Sequence, residues 1–138
     1  MRIVGCEILH CNAGWRDFSF LKLMTDENIT GISEYNECYG SPGLSGIIRR
    51  LVERVKDMDP LAHEHIHQCL YAATRQAPGG VNQQAIAAIE NALLDIKGQA
   101  LNIPVYDILG GAIRKEIPVY WSHCGTYLMN PEVAAMCG

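Results

Sequence analysis

Apolar positions alternate along residues 2–10, around Ile3, Val4, Cys6 and Ile8, and residues 17–25 carry Phe18, Phe20, Leu21, Leu23 and Met24. Runs of this length, rich in β-branched and aromatic residues, predict two strands. The intervening CNAGWRD is a connection carrying one large aromatic, Trp15. Thr25-Asp26-Glu27-Asn28 has turn composition, with Asn28 suited to a left-handed conformation, and the strand pattern resumes over residues 29–35. The prediction is an antiparallel three-stranded meander.

After the turn-forming NECYGSPG, the apolar period lengthens to about 3.6. Leu44, Ile47, Ile48, Leu51, Val52, Val55 and Met58 make one apolar stripe, with Arg49, Arg50, Glu53, Arg54 and Lys56 mostly opposite. Asp59-Pro60 predicts an N-cap and a first-turn proline for a second helix reaching residue 75, ended by QAPGG. A third helix is predicted over 82–101, burying Ile86, Ile89, Ala92, Leu93, Ile96 and Ala100. Gly98 inside it costs about 1 kcal/mol relative to alanine and so marks a close backbone approach. Pro104 opens a short helical turn that Gly110-Gly111 stops, and IPVYWSH at 117–123 reads as a fourth strand. Asn130-Pro131 begins another helix. A strand, loop and helix start form half of a β-α unit, so the segment from 117 onward reads as the beginning of a second structure.

Composition narrows the function classes. A chain of 138 residues with 49% hydrophobic and 19% charged residues is globular, and long enough to bury about 65–70% of its unfolded surface. There is neither an apolar run long enough for a membrane span nor a secretory signal pattern at the start, and the expected location is the cytoplasm. Six scattered cysteines without CxxC spacing read as reduced thiols, mostly packed. A net charge of −4 with dispersed basic residues offers no footprint for nucleic acid.

The local candidates for chemistry are few. His63, His65 and His67 lie at i, i+2 and i+4, so only His63 and His67 share a helix face, and the HExxH zinc pattern is missing; solvated or capping roles are expected. His10 and Cys11 are neighbours on a strand and point to opposite faces, which is poor geometry for a base and its nucleophile. Asp26, Glu27, Glu34 and Glu37 supply carboxylates, the first two at a hairpin tip, and Glu34 is placed to orient a loop. Ser122 and His123, ending the fourth strand, are the best local candidates for a ligand contact, because strand ends in α/β folds face the ligand crevice.

The element order, together with AIAAIENALLDIKGQALNIPVYDILGG and the strand IPVYWSH, resembles the amino-terminal part of the mandelate racemase and muconate lactonizing enzyme family of the enolase superfamily. The family pattern A-I-E-x-A-L-x-D-I-x-G followed by P-V-Y-x-x-L-G-G is matched almost throughout, and TDENITGISEY is similar to the family's second hairpin. Gly98-Gln99 stands where the family often has Gly-Lys, and Gly31-Ile32-Ser33-Glu34 where it often has Gly-x-Gly-Glu.

The resemblance implies an α+β fold: the meander and a three-helix bundle as a capping domain over residues 1–112, then a linker, the first barrel strand and the start of the first barrel helix over 113–138. The chain would then be truncated before most of a TIM-like barrel. In the family the barrel carries Mg²⁺ and a Lys or His base that removes the α-proton of a carboxylate substrate, as in acid-sugar dehydratases and racemases. No catalytic residue and no metal ligand of that kind is therefore expected in this chain, and the fragment alone is expected to be inactive and to bind no cofactor. The loops holding Trp15 and Arg16, and Tyr39, match the capping loops that shape substrate specificity, and Ser122 and His123 match the first barrel strand. The expected partners are an acid-sugar substrate and further copies of the same chain. The alternative is a free-standing binding or oligomerisation module with the same fold, which a reading frame ending at Gly138 would favour.

Overall fold

The computed structural model describes residues 1–14, 16–38, 40–120, 131, 132 and 135. Three strands, β1 (Ile3–Asn12), β2 (Asp17–Thr25) and β3 (Thr30–Tyr35), form an antiparallel sheet in the order β1-β2-β3. The helices α1 (Leu44–Val55), α2 (His63–Ala73) and α3 (Gly80–Leu101) follow, then the single turn α4 (Val105–Ile108). This is the meander and helical bundle that the periodicities predict. Asn28 takes the left-handed conformation expected of it at the β2–β3 turn, with φ 61°.

One face of the sheet is covered by helices. Ile3, Leu21, Leu23 and Tyr35 meet Leu44, Ile48, Leu51, Val52 and Val55 of α1 and Ile86, Ile89, Leu93 and Ile96 of α3 in one core. Ala85, Ala88 and Ala92 keep α3 slim enough to lie close to the strands. The closest approach is at Gly31, where a Cβ would stand 2.0 Å from the Ala92 carbonyl oxygen and 2.8 Å from Ile96 Cγ1. The free edge of β3 is occupied by the same helix: the Ile32 N–H donates to Asp95 Oδ2 at 2.8 Å, and Gln99 Nε2 donates to the Thr30 carbonyl at 2.8 Å. Bare strand edges invite pairing with other chains, and these side chains close this one.

The end of α3 has the two-bond pattern of a Schellman motif. Asn102 is left-handed at φ 54°, its N–H bonds to the Gln99 carbonyl, and the Ile103 N–H bonds to the Gly98 carbonyl at 3.0 Å. A Cβ on Gly98 would meet the Ile103 carbonyl oxygen at 3.0 Å, which is the close approach expected of that glycine.

Several details differ from expectation. Asp59 accepts from the Leu61 N–H at 3.0 Å and closes a turn, so α2 begins only at His63, after Pro60 has been buried beneath that turn. Met58 lies past the end of α1 and packs against the core from the following turn. The third helix starts at Gly80, ahead of the expected 82, because Gly79, at a positive φ of 80°, already redirects the chain. Ala100 is exposed and not buried as expected, because the last turn of α3 reaches the sheet edge through the neighbouring Gln99 side chain. Residues 117–120 of the expected fourth strand are exposed and form no strand, since a strand needs a neighbour to pair with. The rest of that segment and most of the helix expected from Asn130 lie outside the described residues.

Candidate functional site

At the end of the sheet distant from the β2–β3 turn, strand register lines up His10 with Ser19 and Ser19 with Tyr35. The β1–β2 connection and the β3–α1 loop, residues 36–43, both arise there. Between them lies an open depression of about 410 Å³ lined by His10, Asp17, Ser19, Glu37, Cys38 and Ser45. The inward position on β2 that would elsewhere hold a leucine holds Ser19, which is buried and 3.1 Å from His10 Nδ1.

A second polar chain lies beside it. The Ser45 hydroxyl donates to Glu37 Oε2, and Tyr35 Oη stands 2.6 Å from Ser45 Oγ. Since the Ser45 hydrogen is committed to the carboxylate, Tyr35 donates to Ser45. Burial opposes the negative charge on Glu37, but the Ser45 hydroxyl, the backbone N–H groups of Ser45 and Gly43, and nearby His10 together hold its carboxyl below the usual range. Burial pushes the Tyr35 phenol up, against the hydrogen bond with Ser45 and with the added push of the Glu37 charge.

Of the residues that the sequence singles out, Arg16 is within the described structure. Its guanidinium pairs with Glu34 Oε1 at 3.0 Å and lies 4.0 Å from the centroid of the Phe18 ring. Arg16 thus ties the β1–β2 connection to β3, and Glu34 orients that loop as expected. Trp15, Tyr39, Ser122 and His123 lie outside the described residues.

The other candidates are dispersed. Asp26 accepts from the Arg2 N–H at 2.7 Å, so this hairpin-tip carboxylate is engaged and not simply solvated. His67 Nδ1 contacts Glu90 Oε2 at 3.1 Å, and Lys97 Nζ approaches His63 Nδ1 at 3.3 Å, so both histidines join α2 to α3 in place of the solvated or capping roles expected for them. Cys6, Cys11, Cys38 and Cys69 are free thiols, but Cys11 and Cys38 are exposed and not packed, because β1 and the 36–43 loop carry them beyond the core. Among the described residues, no group of three or more His, Cys, Asp or Glu side chains could hold a metal ion. No described helix is long and apolar enough to cross a membrane.

The depression brings together carboxylates at Asp17 and Glu37, the His10 imidazole and the hydroxyls of Ser19 and Ser45, with Ser19 Oγ within hydrogen-bond distance of His10 Nδ1. Its chemistry is that of hydrogen-bond recognition. Linear spacing does not bring His10, Ser19, Glu37 and Ser45 together; the signal is the serine at an inward strand position and another in the first turn of a strongly apolar helix stripe.

Residues 11–110 match the model of the mandelate racemase/muconate lactonizing enzyme N-terminal domain. The chain belongs to this family, and its fold is the capping domain of the enolase superfamily. D-galactonate dehydratase of Xanthomonas axonopodis pv. citri (strain 306) is 35% identical over 127 residues, covering 87% of this chain and 31% of the relative. A candidate L-alanine-DL-glutamate epimerase of Burkholderia xenovorans strain LB400, solved with magnesium and fumarate, is 48% identical with a TM-score of 0.86, over 91% of this chain and 31% of that one. A candidate galactarate dehydratase of Agrobacterium radiobacter, solved with sodium and L-malate, is 30% identical with a TM-score of 0.79, over 87% of this chain and 30% of that one. The chain therefore spans about a third of the length of these relatives.

Proposed function

We propose that this chain is the capping domain of a Mg²⁺-dependent enzyme that removes the α-proton of a carboxylate substrate, an acid-sugar dehydratase or racemase of the mandelate racemase type. The observation that carries the reading is its 35% identity to D-galactonate dehydratase across most of the chain. The magnesium and fumarate bound by a 48% identical relative agree with it. Residues 1–112 are the capping domain in this reading, and 113–138 lead into the barrel. In this reading the metal and the base belong to that barrel.

The chain's own contribution is recognition and closure. Asp17 and Glu37 would repel a substrate carboxylate, so the acid group points away from the depression and the neutral hydroxyls of a sugar acid face it. Trp15, Arg16 and Tyr39 belong to the loops that close over the substrate, excluding water and strengthening the electrostatics inside. Ser122 and His123 contribute from the first barrel strand. A cytoplasmic homo-oligomer is part of the same reading.

The test is an assay of the barrel-bearing protein over a panel of acid sugars, with Mg²⁺ or with EDTA. The expected result is metal-dependent formation of a 2-keto-3-deoxy acid or of an epimer from at least one of them. Lack of turnover of every acid sugar with Mg²⁺ present overturns the proposal.

A further inference from the structure

The first turn of α1 lacks a cap of its own. The position before it is Gly43, left-handed at φ 85°, which offers no side chain, and the first turn contains no acidic residue. Helix N-termini leave backbone N–H groups free that a Ser, Thr, Asp or Asn side chain ordinarily satisfies. Here the acceptor comes from six positions upstream: the Glu37 carboxylate takes the hydroxyl of Ser45 and stands by the N–H groups of Gly43 and Ser45.

We propose that Glu37 is a positioning residue that caps α1 from the 36–43 loop and thereby sets the shape of the substrate-facing depression. The loop leaves the sheet at Tyr35 and enters the helix at Leu44, and the Tyr35–Ser45–Glu37 chain ties the two ends together across the gap. Ser41 adds a tether to α3, its hydroxyl donating to Gln84 Oε1 at 2.6 Å. That tether lies away from the depression, whereas Glu37 lines it beside His10, Asp17, Ser19 and Cys38. Releasing Glu37 therefore frees the wall of the depression and leaves the core behind it packed. The specificity part of the proposal rests on the function proposed above; the capping part does not.

Amide hydrogen exchange of the 138-residue chain tests the capping. Glu37→Ala is expected to speed exchange at Gly43, Leu44 and Ser45 by about tenfold or more, and Glu37→Gln, which keeps one acceptor, by an intermediate factor, while amides of Ile89–Ile96 hold their wild-type rates. If the alanine variant does not fold, the glutamine variant decides. Wild-type rates at Gly43–Ser45 in a folded variant overturn the proposal.

Steady-state kinetics of the barrel-bearing protein test the positioning. Glu37→Gln is expected to change the ratio of kcat/KM between two acid sugars by about fivefold or more. An equal loss for all substrates makes Glu37 a helix cap only and overturns the specificity role. If the wild-type enzyme turns over no acid sugar, the proposed function fails while the exchange result still decides the capping.

Discussion

The Asp95 carboxylate accepts the backbone N–H of Ile32 across a separation of 63 residues, at 2.8 Å. Asp95 lies on the flank of α3 and Ile32 on the outer edge of β3, so one side chain fixes helix register against strand register. Asp95→Ala should cost about 0.5–1.5 kcal/mol, because the contact is exposed and water replaces part of it. Asp95→Asn, which keeps an acceptor, should recover most of the loss. Urea denaturation of the variants measures both, and an alanine variant as stable as wild type would sink the assignment.

Gly31 and Gly46 should respond to alanine in opposite directions. At position 31 the added methyl meets the Ala92 carbonyl oxygen at 2.0 Å, which forces strand and helix apart. The cost should be about 3 kcal/mol or more, at the upper end of overpacking effects. At position 46, inside α1, nothing lies within 4 Å of the new Cβ. There the helix propensity of alanine should add about 0.5–1 kcal/mol of stability. Thermal melts of both variants check the two signs together.

Leu93 is 1% exposed within the core. Leu93→Ala should therefore cost about 2–5 kcal/mol. His65 is exposed on α2, and His65→Ala should change stability by no more than about 0.5 kcal/mol. Equal effects in a denaturant titration would mean that the buried faces of the two helices are misassigned.

The depressed Glu37 carboxyl makes a pH prediction. A carboxylate whose pKa is lower when folded stabilises the fold fully above its ordinary value, near 4.5, and loses that contribution as pH falls through the folded value. Wild type should exceed Glu37→Gln in stability above about pH 4.5. Below that the margin should shrink, because protonated Glu37 no longer differs in charge from glutamine. A margin that grows as pH falls below about 4.5 would contradict the hydrogen-bonded carboxylate.

Trp15 and Ser122 are to be tested in the barrel-bearing protein. If Trp15 belongs to a lid, Trp15→Ala should lower kcat/KM for the true substrate by about tenfold, the equivalent of a lost contact of about 1.4 kcal/mol. Ser122→Ala should act selectively, on substrates with a matching carboxylate or hydroxyl. Wild-type kinetics for both would retire the two roles.

Strand-length apolar runs, one helical stripe and the turn and capping residues between them determined the sheet and the helices of this chain. The stripe from Leu44 to Val55 names its own buried face, because a side chain's direction within a helix follows from its period, whereas β2 carries Phe18, Phe20 and Met24 on one face and buries Ser19, Leu21 and Leu23 on the other. The family pattern ending at Gly111 likewise lies in consecutive residues. Gly98 betrayed its close approach as a glycine where helix propensity favours almost anything else. Other features depend on how separate elements meet. Nothing local to Gly31 says that the backbone of Ala92 will lie against it, and nothing local to Ser19 or Ser45 says that one will face His10 and the other Glu37. Asp59 reads as a helix cap in sequence and closes a turn in space on the Leu61 N–H, with α2 starting only at His63. The depression exists because strand register aligns His10, Ser19 and Tyr35 while α1 carries Ser45 back toward them. Those distances are set by the packing of elements far apart in the chain, which short-range spacing does not encode.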